Sequence, residues 1–210
     1  MILAIDGPAA SGKGTLGRKL AEHLGYHHLD TGLLYRAVGA ALLDAGLDFG
    51  DVQTVVAVAH GLNLDRLDAA RLAGHDIGEA ASRVAVIPEL RSALLDLQRR
   101  FAAREPGAVL DGRDIGTVIC PNADVKIYLV ADPEIRARRR AMQFGITDED
   151  GYNVILADIR RRDERDTQRA VAPLRAAADA HLLDTSQMDI EAAFRAALEI
   201  VGKRGHRKHR

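Results

Sequence analysis

Nine consecutive residues, 7–15, constrain the fold of this 210-residue chain more than any other segment. They read Gly-Pro-Ala-Ala-Ser-Gly-Lys-Gly-Thr, and four residues separate Gly7 from the Gly12-Lys13 pair, which is the spacing of a phosphate-binding loop. Gly14 stands where that pattern has Ser or Thr. Glycines let backbone N–H groups turn toward phosphate oxygens at the start of a helix. We therefore predict a phosphate site formed by Gly7, Pro8, Ala9, Ala10, Ser11, Gly12, Lys13, Gly14 and Thr15.

Short apolar runs alternate with amphipathic stretches along the chain, a pattern typical of an α/β protein with a parallel sheet. The predicted strands are residues 1–5, 27–29, 108–111, 125–130 and 181–184. The predicted helices include residues 14–24, 33–45 and 190–201. Glycines at 25 and 46 suit the ends of the first two helices. Asp132-Pro133 suits the start of the helix that follows the fourth strand.

We expect one compact domain over residues 1–210, with three segments that depart from the simple alternation. Residues 50–104 are rich in helix-forming residues and long enough for an inserted subdomain. Residues 143–153 are polar and glycine-bearing, and we expect them to form a lid. Residues 203–210 are basic, and we expect a disordered tail.

Composition excludes several classes of protein. The net charge of -1 and the 4% aromatic content argue against a basic nucleic-acid binder with stacking platforms. Cys120 is the only cysteine, so a disulfide framework and a cysteine-rich zinc site are excluded. No apolar stretch approaches about 18 residues. We expect a cytoplasmic monomer that binds small molecules and neither nucleic acid nor membrane.

Three further segments resemble the bacterial cytidylate kinase family. They read Asp-Thr-Gly-Leu-Leu-Tyr-Arg at 30–36, Leu-Asp-Gly-Arg-Asp-Ile-Gly-Thr at 110–117 and Arg-Asp-Glu-Arg-Asp-Thr-Gln-Arg-Ala-Val-Ala-Pro at 162–173. The resemblance runs from Ile2 to about Val201 and implies a three-layer P-loop kinase fold with a five-stranded parallel sheet. It also implies transfer of the γ-phosphoryl group of Mg-ATP to CMP or dCMP.

The resemblance implies a role for each matching residue. Residues 7–15 would bind ATP. The implied catalytic residues are Lys13, Arg113, Arg139 and Arg140, the last two closing over ATP. The acceptor phosphate would be held by Thr31, Arg36 and Arg113. The base would face Ser82, Arg91, Asp114 and Arg169, and the sugar Arg162 and Asp166. Magnesium would be held through water by Thr15 and Asp111.

Some of these roles have alternatives. Asp114 and Asp166 can exchange roles in reading the base, and Asp111 after a strand can be a helix cap. The charges of 162–169 also suit a solvated helix face with ion pairs such as Asp158–Arg162.

Between residues 63 and 82 the chain is too short and too helix-prone for the small antiparallel sheet that relatives carry, so we expect a trimmed acceptor subdomain. Alternative functions are a kinase for UMP, AMP or shikimate, a nucleotide-dependent regulator, and an RNA-associated factor that uses the basic tail.

Overall fold

The structure is a computed structural model that describes residues 1–205. Five strands form one parallel sheet in the order β2-β3-β1-β4-β5. They are β1 (Ile2–Asp6), β2 (His27–Asp30), β3 (Ala108–Gly112), β4 (Val125–Val130) and β5 (His181–Asp184). The predicted α/β fold with five parallel strands is confirmed, and each strand lies within one residue of its predicted bounds.

Eight α-helices connect and cover these strands in the described part of the chain. They are α1 (Lys13–Leu24), α2 (Gly32–Asp44), α3 (Val52–His60), α4 (His75–Val84), α5 (Pro88–Ala102), α6 (Pro133–Phe144), α7 (Glu149–Gln168) and α8 (Ile190–Gly205). Short 3₁₀ turns cover Leu64–Arg66 and Arg71–Ala73, and a π-helical turn covers Ile115–Ile119. Helix α1 ends at Gly25 in the left-handed conformation, as predicted. Within residues 1–205, none of the helices combines the length and apolarity that crossing a membrane requires.

The chain divides into two compact units, and the first contains residues 1–29 and those from 102 onward. Its core forms where α1 and α8 pack on the sheet, because alternate strand residues point to the same face. Leu3 and Ile5 of β1 are fully buried there against Leu16 and Leu20 of α1. This packing places the carboxyl end of β1 directly before the loop of residues 7–15.

The second unit contains residues 30–101 and is helical, with no strand between residues 50 and 101. Its core joins α2 with α3, α4 and α5 through Leu34, Val55, Val84 and Leu90. The small antiparallel sheet expected to be missing from this chain is indeed absent from the unit. The unit begins at residue 30 rather than 50, because α2 packs on α4 and thus belongs with it.

Helices α6 and α7 pack on each other and leave a connection of only four residues, 145–148, between them. Helical residues therefore cover most of the predicted lid, 143–153, and its movement stays a prediction. Helix α8 continues through Gly205, so the first three residues of the predicted disordered tail are helical. Residues 206–210 lie outside the described part of the chain.

Candidate active site

The loop of residues 7–15 connects β1 to α1, and glycine is required or favoured at two of its positions. Gly12 has φ of 92° at the start of α1, a conformation that glycine adopts readily. A Cβ on Gly7 would lie 2.5 Å from the backbone oxygen of Leu129, so only glycine fits there. The Lys13 ammonium donates to the Pro8 carbonyl at 3.2 Å. Lys13 thus lies over its own loop, within reach of a phosphate bound to the loop N–H groups.

A buried arginine of α6 fixes the middle of this loop. The Arg136 guanidinium, 3% exposed, donates to the Ala9 carbonyl at 3.1 Å, to the Ala131 carbonyl at 2.8 Å and to the Asp163 carboxylate at 2.6 Å. The next loop residue, Ala10, has φ of 58° and packs against the apolar contact between α6 and α7. The phosphate loop is therefore held from outside by the α6–α7 hairpin.

Two ion pairs join the segment after β3 to the end of α7, one partly buried and the other almost fully buried. Arg113 Nε donates to Asp166 Oδ2 at 2.7 Å, and Arg169 Nη2 lies 3.5 Å from Asp114 Oδ1. We call Arg113, Asp114, Asp166 and Arg169 the ion-paired cluster. Burial opposes ionisation of Asp166, but the charges of Arg113, Arg169 and Arg162 outweigh it and hold the pKa of Asp166 below its ordinary value. The cluster therefore holds two carboxylates and two guanidiniums close together.

Asp6, the last residue of β1, connects the loop to the segment after β3. Its carboxylate accepts hydrogen bonds from the backbone N–H groups of Ile115 and Gly116, both at 2.7 Å. Burial raises the pKa of Asp6 to about 6, the two N–H groups lower it, and the nearby charges of Asp114 and Lys13 raise and lower it respectively. Asp6 therefore lies close to both functional segments.

Asp111 and Thr15 supply the oxygen ligands that Mg²⁺ prefers. The Asp111 carboxylate is 1% exposed at the end of β3, and its Oδ1 lies 2.8 Å from His28 Nε2 on β2. Thr15 is exposed in the first turn of α1. Among the described residues, no three His, Cys, Asp or Glu side chains converge on one metal position.

Comparisons of the sequence with known proteins identify a family for this chain. The family model described as cytidylate kinase matches residues 3–203. The chain is 60% identical to the cytidylate kinase of Nitrobacter winogradskyi, covering 96% of this chain and 95% of that protein. It is 59% identical to the cytidylate kinase of Methylocella silvestris, covering 96% and 94% respectively. The chain belongs to the cytidylate kinase family.

A gluconokinase from Sinorhizobium meliloti has the same fold, with a TM-score of 0.56 and 14% identity over 99% of this chain and 95% of that one. An uncharacterized protein from Eubacterium ventriosum matches with a TM-score of 0.58 and 16% identity over 97% and 98%. These two likenesses show the P-loop kinase fold that the family resemblance implied.

The resemblance expects Arg139 and Arg140, which precede the predicted lid, to close over ATP, and both have partners in this cytidylate kinase-family chain. Arg139 donates to the carbonyls of Thr185, at 2.6 Å, and Met188, at 3.2 Å, in the segment after β5. Arg140 stacks on Phe144. Burial lowers the pKa of the Arg140 guanidinium, and the charge of Arg162 lowers it further. Arg140 and Arg162 are therefore brought close together, whereas Arg139 is bound to another segment.

The predicted acceptor residues of the second unit are Thr31, Arg36, Ser82 and Arg91. Thr31 and Ser82 are buried. Arg36 donates to the carbonyls of Leu72 and Gly74, at 2.7 and 3.3 Å. Arg91, 8% exposed, donates to the Ala85 carbonyl at 3.2 Å and lies over the Tyr35 ring. Both arginines are thus held by their own unit.

Sequence reasoning missed three residues of the site: Asp6, His28 and Arg136. The position of Asp6 at the end of a strand before the loop was a usable signal, because ligands bind at the carboxyl ends of parallel strands. No sequence motif singled out His28, which lies on β2 and contacts Asp111. Nothing in the sequence distinguished Arg136 from the other arginines of α6.

Proposed function

We propose that this chain is a cytidylate kinase, which transfers the γ-phosphoryl group of ATP to CMP or dCMP and gives ADP with CDP or dCDP. The observation that carries the proposal is the ion-paired cluster beside the phosphate loop. It brings guanidiniums, which suit a phosphate, and carboxylates, which suit an amino group, into the unit that binds ATP. A nucleotide switch would have no use for this second set of charges.

On the donor side, the backbone N–H groups of residues 7–15 and the Lys13 ammonium would bind the ATP phosphates. Charge moves from the γ-phosphoryl group to the leaving oxygen during transfer, so a fixed cation at this position stabilises the transition state. A magnesium ion, when bound through the water shell held by Asp111 and Thr15, would neutralise further phosphate charge. The reaction needs no protein nucleophile, so positioning and electrostatics supply the catalysis.

On the acceptor side, Arg113 would bind the CMP phosphate, and the family resemblance adds Arg36 and Thr31 as phosphate ligands. A guanidinium has five N–H donors, and the bond to Asp166 uses the one on Nε. Asp166 therefore orients the fork of Arg113. This orientation matters because the acceptor oxygen must lie in line with the γ-phosphorus.

The base would be selected by opposite hydrogen-bonding patterns. Cytosine carries an amino donor at position 4 and acceptors at N3 and O2, whereas uracil carries an acceptor at position 4 and a donor at N3. A carboxylate from Asp114 fits the amino group. The remaining base contacts would come from Ser82, Arg91 and Arg169, and the sugar contacts from Arg162 and Asp166.

The α6–α7 hairpin would supply the remaining positive charge. Burial and the charge of Arg162 both disfavour the protonated Arg140 guanidinium, and a phosphate bound beside Arg140 would stabilise its charge. Arg139 would take part only after exchanging its bonds to the segment after β5. Closure of residues 143–153 over ATP would exclude water.

An acceptor panel in one ATP-coupled assay tests the proposal. CMP and dCMP should give the largest kcat/KM, and UMP, AMP and shikimate much smaller values. A preference for UMP, AMP or shikimate would identify a different kinase, and ATP hydrolysis without transfer would identify a regulator. A cytoplasmic location and a monomeric state stay predictions, the latter tested by sedimentation.

A further inference from the structure

The turn at Ile115–Ile119 begins with backbone N–H groups that need acceptors, as every helical turn does. It is a π turn, since Ile119 and Cys120 donate to the carbonyls five residues earlier, at 3.2 and 2.7 Å. Asp114 occupies the position before the turn, and Asp there normally accepts these N–H bonds with its own side chain. Here the Asp114 side chain makes no such bond.

The backbone of Asp114 explains this absence within the turn. Its φ and ψ are -142° and 24°, whereas a residue that caps with its own side chain has an extended ψ. Its carboxylate is 5% exposed and lies 3.5 Å from Arg169 Nη2 instead. The Asp114 side chain is therefore turned from the backbone toward the ion-paired cluster.

Asp6 fills the capping position from another strand. It is 109 residues distant from Ile115, and its two oxygens accept one N–H group each, from Ile115 and Gly116, at 2.7 Å. Asp6 is 4% exposed, so these two N–H groups are bonded to its carboxylate rather than to bulk water. The two carboxylates of Asp6 and Asp114 also repel each other, so the occupied position disfavours a second acid beside the same N–H groups.

We propose that Asp6 is a positioning residue that caps the turn after β3 and thereby keeps the Asp114 carboxylate available to select the acceptor base. The inference rests on the proposed function, since it assigns Asp6 to the cap of the turn and Asp114 to the base within that site. When Asp6 is absent, Asp114 is the nearest residue of the right type to accept the exposed N–H groups. It would then rotate into the ordinary capping geometry and leave the base without its acceptor.

The test compares Asp6→Asn and Asp6→Ala with the control Asp124→Ala. Asp124 accepts the N–H of Ile2 at 2.8 Å, so it anchors the opposite end of the same strand with the same kind of bond. We expect both Asp6 variants to lower the CMP/UMP ratio of kcat/KM by about 10-fold, the value of one good base contact. Asp124→Ala should leave the ratio unchanged. A merely structural role for Asp6 would lower activity toward both nucleotides equally, which would overturn the inference.

A double-mutant cycle and amide hydrogen exchange complete the test. In an Asp114→Asn background, Asp6→Asn should change the CMP/UMP ratio less than about twofold, because Asp6 acts through Asp114. Full additivity contradicts the proposal. Exchange at Ile115 and Gly116 should become faster in Asp6→Asn and not in Asp124→Ala, and unchanged exchange would also overturn the cap. This readout needs no substrate, so it stands even if wild-type enzyme fails to phosphorylate CMP, an outcome that would refute only the proposed function.

Discussion

The phosphate loop and the ion-paired cluster lie in the same unit, but the loop is formed mainly by backbone groups and the cluster by side chains. The loop uses nine consecutive residues, and the groups proposed to bind phosphate there are backbone N–H groups and the side chain of Lys13. The cluster uses four side chains, and its two ion pairs join residues 53 and 55 positions apart. A backbone site depends on local conformation, whereas a side-chain site depends on how the whole unit folds.

The loop and the cluster are nevertheless connected through Arg136. Arg136 binds the Ala9 carbonyl within the loop and the Asp163 carboxylate on α7, three residues before Asp166 of the cluster. Helix α7 therefore supports the loop through Asp163 and contributes Asp166 to the cluster. The loop is local in its chemistry, but its conformation is also fixed by tertiary contacts.

The largest effect that we predict addresses this link. Arg136→Met should lower the free energy of unfolding by about 3 kcal/mol, because it leaves the Asp163 carboxylate and two buried carbonyls without their donor. It should also raise the KM for ATP. The measurement is urea denaturation together with ATP saturation kinetics. Arg138→Met is the matched control, since Arg138 is exposed on the same helix. Equal stability of the two variants would show that the loop needs no external support.

The second prediction concerns Lys13, the loop side chain proposed to bind phosphate. Lys13→Ala should lower kcat by at least about 100-fold, comparable with the loss of one fixed electrostatic contact in an active site. The free energy of unfolding should change little. Lys19→Ala, on the same helix but paired with Glu191 at the surface, should keep normal kcat. A fully active Lys13→Ala enzyme would refute the assignment of the loop.

The third prediction tests the cluster. Asp114→Asn should lower kcat/KM for CMP by about 10- to 100-fold and that for UMP much less, because an amide can turn a donor toward O4 of uracil. The measurement is kcat/KM for both nucleotides. Asp166→Asn should mainly weaken the orientation of Arg113 and lower both values together. If the CMP/UMP ratio stays constant in both variants, base selection does not depend on these acids.

The sequence predicted the loop and the strands well because both are determined locally. The spacing of Gly7, Gly12 and Lys13 is in itself typical of a phosphate-binding loop. Five short apolar runs were enough to predict the five strands. Helix ends at special residues were also predictable, as at Gly25.

Properties that depend on tertiary packing were harder to predict. The arginines of α6 look alike in sequence, yet Arg136 is buried while Arg138 is exposed. The extent of the second unit was also missed, because α2 has an ordinary helical pattern and only its packing on α4 assigns it there. For the same reason, the four residues of the cluster were singled out only through family resemblance, and their two ion pairs were not predicted.

The smallest predicted effect addresses that last ambiguity on α7 itself. Arg161 pairs with Asp158 at 2.7 Å, and its side chain is 53% exposed. Arg161→Gln should change the free energy of unfolding by less than about 0.5 kcal/mol, since exposed helix pairs contribute little. A change of that size alters kcat/KM for CMP less than about threefold. Arg162→Gln, one position further along, should lower kcat/KM about 10-fold, because it removes a charge-assisted contact beside Arg140. Equal losses of kcat/KM in both variants would mean that α7 acts through its total charge. The helix would then have no separate solvent-exposed face and binding face.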